Sequence, residues 1–376
     1  MTVPRVPGVW QTGDDPGRRT FVQLNGDGGG GFEFEGGGSL LEVTVAYETW
    51  GELDSDRNNA ILVLHALTGD SHAAGPVGPG HPTAGWWDGL IGPGAAIDTN
   101  RFFVVCPNVL GGCQGTSGPA SQGPDGTRYG SRFPVLTIRD QVDVEVALAD
   151  HLGIETWAGV VGGSMGGMRA LEWCIGHPER VSRAVVLSVG AAASADQIAL
   201  SSLQVRAIRS DRSFTGGDYY GNERPVTGLA IARGIGQVSY RTGLEFERRF
   251  GRRPQDPEDP LKGGRFAMES YLEHHGDKLA ERFDPNSYIV LSEAMNHHDV
   301  GRGRGGAAQA LARVRAKVTL AGITSDRLYP IEQQEELGRL LPHHPPVTAI
   351  ESGSGHDGFL LEIDQVGAVI SAGLAA

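Results

Sequence analysis

The chain has 376 residues, 39% of them hydrophobic and 20% charged, and its 32 Lys and Arg against 45 Asp and Glu leave a net charge of −13. That length can bury a large core, as one big α/β domain or as one domain with an insertion. The acidic balance argues against nucleic acid as a partner, since neutralising phosphates needs a basic surface. No apolar run approaches the roughly 18 residues that a membrane span requires.

Met1 to Thr20 carry Arg5, Asp14 and Pro16 but no apolar stretch of the signal-peptide kind. Three cysteines, Cys106, Cys113 and Cys174, make no even disulfide framework, and two of them sit in apolar strand-like or helix-like runs. Reduced structural thiols in a cytoplasmic protein are therefore expected. Residues 1–40 read as an irregular segment, with Gly26 to Gly38 as a glycine-rich surface loop or hairpin tip.

From there the pattern changes. Leu41 to Trp50 alternates like a half-buried strand. Ala60 to His65 and Phe102 to Cys106 are short continuous apolar runs, as expected of strands buried on both faces. Gln141 to Leu152 reads as a helix and Thr156 to Val161 as a strand, with Ala184 to Val189, Lys317 to Ile323 and Val347 to Ile350 as three more. Strands alternating with helices predict an α/β fold with a mostly parallel, doubly wound sheet. Between Val189 and Lys317 strand-like runs vanish. Helical segments replace them at Ala195 to Ser210, Gly228 to Tyr240, Phe266 to Phe283 and Asn286 to Met295, with a proline-rich, charged break from Arg252 to Pro260. The expected organisation is a core of 41–190 and 316–376 with a helical cap, 191–315, inserted above the strand ends where ligands of open α/β sheets bind.

The strand ending at Val161 runs into Gly162-Gly163-Ser164-Met165-Gly166, and a helix-like segment follows. This is the strand, sharp turn and helix that a nucleophile elbow needs. Glycine is 57 of the 376 residues, so the string alone carries little weight. A serine hydroxyl also needs a base and a carboxylate that orients the base, in the chain order Ser, Asp or Glu, His. Asp326 follows the run Val318 to Ile323, and His356 lies in a loop of small residues after the last strand. Ser164, Asp326 and His356 are thus the expected triad. Its oxyanion hole would use the Met165 N–H and, from the exit of the early strand at His65-Ala66-Leu67-Thr68-Gly69, the Leu67 N–H. His297-His298-Asp299 and His343-His344 lack a third clustered ligand, so no metal is expected.

These residues also carry a resemblance. His65-Ala66-Leu67-Thr68-Gly69-Asp70-Ser71-His72, Asn108 to Pro119, Gly162 to Met168, Asp299 to Gly306 and Gly355 to Leu360 resemble, in order, motifs of the homoserine O-acetyltransferases, actinobacterial type above all. The likeness runs from about Leu41 to the C-terminus. It implies an α/β-hydrolase fold with a helical cap and a ping-pong acyl transfer in methionine biosynthesis. Ser164 would take acetyl from acetyl-CoA, a co-substrate with no bound cofactor, and His356 would then deprotonate the hydroxyl of L-homoserine. By residue type Arg233 reads as a surface helix arginine and Asp357 as the cap of a turn; the resemblance instead assigns Arg233 to the substrate carboxylate and Asp357 to its amine. Tyr240 and Arg241 lie near the same entrance, and a homodimer through the cap is implied. For the CoA phosphates, Arg302, Arg304, Arg313 and Arg315 are candidates, with a solvated arginine-rich turn as the other reading. A succinyl donor, a serine acceptor or a CoA-independent esterase remain open alternatives, whereas a non-catalytic binding protein is disfavoured because no triad position is missing.

Overall fold

Ala60, Leu62 and Leu64 pack into one apolar cluster and Ile61 and Val63, between them, into another, all fully buried. A strand whose alternate side chains enter two separate cores lies in the middle of a three-layer sandwich. The computed structural model describes residues 6–26 and 29–375. Its sheet comprises β1 (Thr20–Asn25), β2 (Glu42–Trp50), β3 (Ala60–Leu64), β4 (Phe103–Pro107), β5 (Gly159–Gly163), β6 (Arg183–Leu187), β7 (Lys317–Ile323) and β8 (Val347–Ile350). Their order is β1-β2-β4-β3-β5-β6-β7-β8. The β1–β2 and β2–β4 pairs are antiparallel and every later pair is parallel.

Helices α1 (Ile138–Leu152) and α2 (Met165–Gly176) bury Val142, Leu148, Met168 and Trp173 in the first core. The last helix, α11 (Ile363–Ala375), buries Val366, Ile370 and Leu374 in the second. Between β6 and β7 the chain forms α3 (Ala195–Arg209), α4 (Val226–Tyr240), α5 (Gly243–Arg249), α6 (Ala267–Arg282), α7 (Pro285–Asn296) and α8 (Ala307–Leu311). After β7 come α9 (Ile331–Leu340) and the short α10 (Gly358–Leu361). Starts of the inserted helices are written into the sequence. Ser194 and Gln197 form a reciprocal capping box on α3, and Asp284 caps α7 just before Pro285 at its first turn. No single helix among the described residues is long and apolar enough to cross a membrane.

The expectation that 1–40 is irregular fails at β1. Thr20 to Asn25 pair with β2 from Thr20↔Tyr47 to Asn25↔Glu42, but only Leu24 of the six is buried, so the strand shows no apolar alternation. A two-residue ladder, Phe32–Glu33 with Ser39–Leu40, does make a hairpin of the glycine-rich stretch. Residues 27 and 28 of that stretch, and residues 1–5, lie outside those described. Helices α5 and α8 were not expected either: α5 buries no residue and so shows no apolar stripe.

In the parallel strands from β3 onward the C-terminal ends point the same way. The turn holding Leu67 follows β3, Ser164 follows β5, Asp326 follows β7 and His356 follows β8.

Candidate active site

Ser164 sits at φ 57° and ψ −125°, a backbone conformation that a residue with a Cβ adopts only under compulsion. The compulsion is local packing. A Cβ on Gly162 would overlap the backbone of Gly166, and one on Gly166 would overlap the Leu64 carbonyl. With both flanks bare, β5 turns straight into α2 and leaves Ser164 at the helix N-terminus, its own N–H bonded to Leu187 O at 3.0 Å. Neither Met165 N–H nor Leu67 N–H has an acceptor among the described residues.

His356 Nδ1 lies 2.6 Å from Asp326 Oδ2. The other oxygen of Asp326 accepts the N–H groups of Leu328 and Tyr329, each at 2.8 Å. An ionised carboxylate can only accept, so Nδ1 carries the imidazole proton and Nε2 keeps its lone pair. Nε2 is buried with no partner among the described residues, in the cavity that Ser164 also lines. Burial pushes the His356 pKa down, but the Asp326 carboxylate outweighs it and the net shift is upward. The small-residue loop has a steric reason: Gly355 takes φ +66°, and a Cβ there would strike the Tyr240 carbonyl. Ser325 Oγ ties the two loops together, donating to Ser352 O at 2.6 Å and accepting Gly355 N–H at 3.0 Å.

The cavity above Ser164 is lined by Leu67, Arg233, Tyr240, His356 and Asp357 among others. It gathers the expected side chains from four separate stretches of chain. Arg233, on α4, lies over the Tyr240 ring at 5.6 Å. The buried Gln237 carboxamide, with its NH2 toward Tyr271, turns its oxygen to Arg233 Nη2 at 2.9 Å. Asp357 is not free: Arg241 Nε lies 2.9 Å from its carboxylate, and Glu245 holds the same guanidinium at 3.2 Å. Sequence reading placed Arg241 near the entrance without giving it this partner.

The arginines offered for CoA phosphates are not at the site. Arg302 pairs with Glu35 and Arg304 with Glu172, each at 2.7 Å, and none of Arg302, Arg304, Arg313 and Arg315 lines the cavity. Glu35 and Glu172 come from distant parts of the chain, a pairing that local charge patterning does not reveal. His298 is buried with Nε2 at 3.0 Å from Gly190 O, a structural bond. The three cysteines are free and buried, and burial pushes Cys113 and Cys174 up to about 12, the opposite of an activated thiol.

Sequence reading missed one buried trio of metal-type donors among the described residues, Glu48, His72 and His81. Its geometry is that of an ion-pair brace. His72 Nδ1 lies 3.0 Å from Glu48 Oε2, and His81 Nε2 accepts the Arg18 N–H at 3.0 Å. The two rings stack at 3.8 Å and 11°, so a shared ion could not lie in both ring planes, where the nitrogen lone pairs point.

A family model described as alpha/beta hydrolase fold matches residues 59–362. The homoserine O-acetyltransferase of Thermobifida fusca (strain YX) is 59% identical over 378 aligned positions, covering 100% of this chain and 99% of that protein. The chain belongs to the homoserine O-acetyltransferase family. The enzyme of that name from Clavibacter michiganensis subsp. michiganensis is 53% identical over 98% of this chain and 95% of its own length. Among solved structures, homoserine O-acetyltransferase from Bacillus anthracis has a TM-score of 0.87 at 30% identity, covering 95% of this chain and 97% of its own. Esterase E22 reaches 0.86 at 28% identity, covering 95% and 99%. Family members and an esterase thus share one frame, so the frame alone does not separate transfer from hydrolysis; that distinction falls to the cavity's side chains.

Proposed function

We propose that this chain is an L-homoserine O-acetyltransferase that works by ping-pong transfer through an acetyl-serine, serving methionine biosynthesis in the cytoplasm. Ser164 attacks the thioester of acetyl-CoA while His356 Nε2 takes its proton. Leu67 N–H and Met165 N–H receive the oxyanion, and CoA leaves with the proton from His356. The homoserine hydroxyl then enters, gives its proton to the same nitrogen and attacks the acetyl carbonyl; the bond to Ser164 Oγ breaks, the serine takes that proton back from His356, and O-acetylhomoserine leaves. Residues 191–315 act as the cap, and the working form is a homodimer through it.

One observation carries the choice of acceptor: an arginine and an aspartate, Arg233 and Asp357, line the same small cavity as the nucleophile. An amino-acid zwitterion requires a guanidinium fork for its carboxylate and a carboxylate for its ammonium. The substrate ammonium would share Asp357 with Arg241, which keeps the aspartate's charge balanced before substrate arrives. Water exceeds a millimolar acceptor by about four orders of magnitude, so holding both ends of homoserine beside the acyl-enzyme is what favours transfer.

The deciding experiment mixes the enzyme with acetyl-CoA or succinyl-CoA, reads the acyl mass left on Ser164, and then offers a panel of acceptors. Acetylation discharged by homoserine is the expected result. Preference for succinyl-CoA, or rapid turnover of simple esters without CoA, would overturn the assignment. Arg233→Ala should raise the homoserine KM by about 10²-fold, the scale of a lost charge-assisted pair, while Ser164 acetylation stays within about twofold. Equal damage to both half-reactions would refute the role given to Arg233.

A further inference from the structure

His65 directly follows β3 and is 1% exposed. Its Nδ1 lies 2.8 Å from Ala66 O, and its Nε2 accepts the Val109 N–H at 3.0 Å. A backbone carbonyl can only accept and a backbone N–H can only donate. The tautomer is therefore fixed, with the proton on Nδ1 and the lone pair on Nε2. Burial and the nearby Arg169 guanidinium lower the pKa of this imidazole to about 3, so it is no rival to His356 as a base.

The Ala66 carbonyl and the Leu67 N–H are the two ends of one peptide unit. That unit is planar and trans, so its C=O and N–H point in opposite directions. Whatever grips the Ala66 oxygen from behind aims the Leu67 N–H forward. Two donors grip it: His65 Nδ1–H, and Gly69 N–H at 2.9 Å, which closes the turn 66–69. The turn has little room to adjust, since a Cβ on Gly69 would come within 2.8 Å of the His65 Cβ. The chain Val109 N–H, imidazole, Ala66 C=O, Leu67 N–H is moreover aligned so that each bond polarises the next toward the cavity.

The other end of His65 is anchored as well. Its carbonyl accepts Arg169 Nη2 at 2.5 Å, and Arg169, fully buried, pairs with Glu145 at 2.6 Å. Arg169 lies one turn along α2 from Met165. The two proposed oxyanion donors are thus joined through His65 and Arg169, which sets the distance between them.

We propose that His65 is a positioning residue for acyl transfer, aiming the Leu67 N–H by gripping the peptide that carries it. This rests on the reading of Leu67 as an oxyanion donor, and the test separates the two. An asparagine at position 65 places an amide near Nδ1 and can still donate to Ala66 O. A glutamine reaches Nε2 and can still accept from Val109, but loses the Ala66 bond. In rapid-mixing acylation by acetyl-CoA, His65→Gln should slow Ser164 acylation about 10²-fold, the scale of one mis-set oxyanion donor. KM values and the pH midpoint should stay as in the wild type, whereas His65→Asn should keep the rate within about tenfold. A role confined to packing would move both variants alike, and the thermal midpoint would follow the rate. His65→Gln acylating at the wild-type rate, or both variants folded and equally slow, overturns the proposal. Should His65→Gln not fold, His65→Asn decides: less than about one-hundredth of the wild-type rate overturns it. A Leu67→Pro control, which lacks the N–H at that position, acylating at the wild-type rate would instead refute the parent reading.

Discussion

Ser164→Ala is expected to abolish the acyl-enzyme and to lower kcat by at least about 10⁴-fold, the scale on which triad nucleophiles are lost. Among the described residues Ser164 is the one set at the tip of the elbow, in the cavity that the unpartnered His356 Nε2 shares. The alanine keeps a Cβ and so keeps the strain of φ 57° and ψ −125°, and its thermal midpoint should match the wild type. Ser164→Gly separates the two properties. Strain of this kind costs about 1–3 kcal/mol, while glycine adds about 0.5–1 kcal/mol of unfolded-state entropy. The glycine variant should therefore be inactive yet more stable by about 1 kcal/mol in chemical denaturation. A glycine variant less stable than the wild type would mean that the elbow is not strained at Ser164.

How much of this was legible in the sequence depends on the range of each interaction. The core strands announced themselves because burial on both faces leaves uninterrupted apolar runs, and Lys317–Ile323 and Val347–Ile350 match their expected bounds. The placement of Ser164, Asp326 and His356 was legible because each follows such a strand, and strand ends in a parallel sheet converge. What stayed hidden was long-range pairing of polar groups. Nothing near Asp357 in the chain indicates Arg241, and nothing near Arg304 indicates Glu172. His65 looked like an ordinary strand-exit residue because its role depends on Val109, 44 positions away. β1 was missed for a different reason: at the sheet edge it borrows its order from β2 rather than from its own burial.

Asp326→Asn should be nearly as damaging as loss of the serine, and the hydrogen-bond network says why. Leu328 N–H and Tyr329 N–H both donate to Oδ1, so an asparagine must present its carbonyl there and turn its NH2 toward His356 Nδ1. Nδ1 then has to accept, the imidazole proton moves to Nε2, and the nitrogen in the cavity that Ser164 lines can no longer take a proton. A loss of about 10⁴-fold in acylation is expected, the scale of a base held in the wrong tautomer. The pH profile supplies an independent check. In the wild type the Asp326 carboxylate outweighs burial and raises the His356 pKa above its ordinary 6.5. Acylation needs the neutral ring, so the rate should climb with pH to a plateau through a midpoint above 6.5. Stability runs the other way. The protonated ring is favoured in the folded state, so its contribution is full below the unfolded value and fades as pH rises through the folded one. The asparagine variant removes the Asp326 charge that opposes burial and leaves only the weaker pull of Asp357, so the activity midpoint should shift to lower pH and the wild-type stability loss with rising pH should shrink. A variant whose midpoint stays in place would show that another group, not the Asp326–His356 pair, governs acylation.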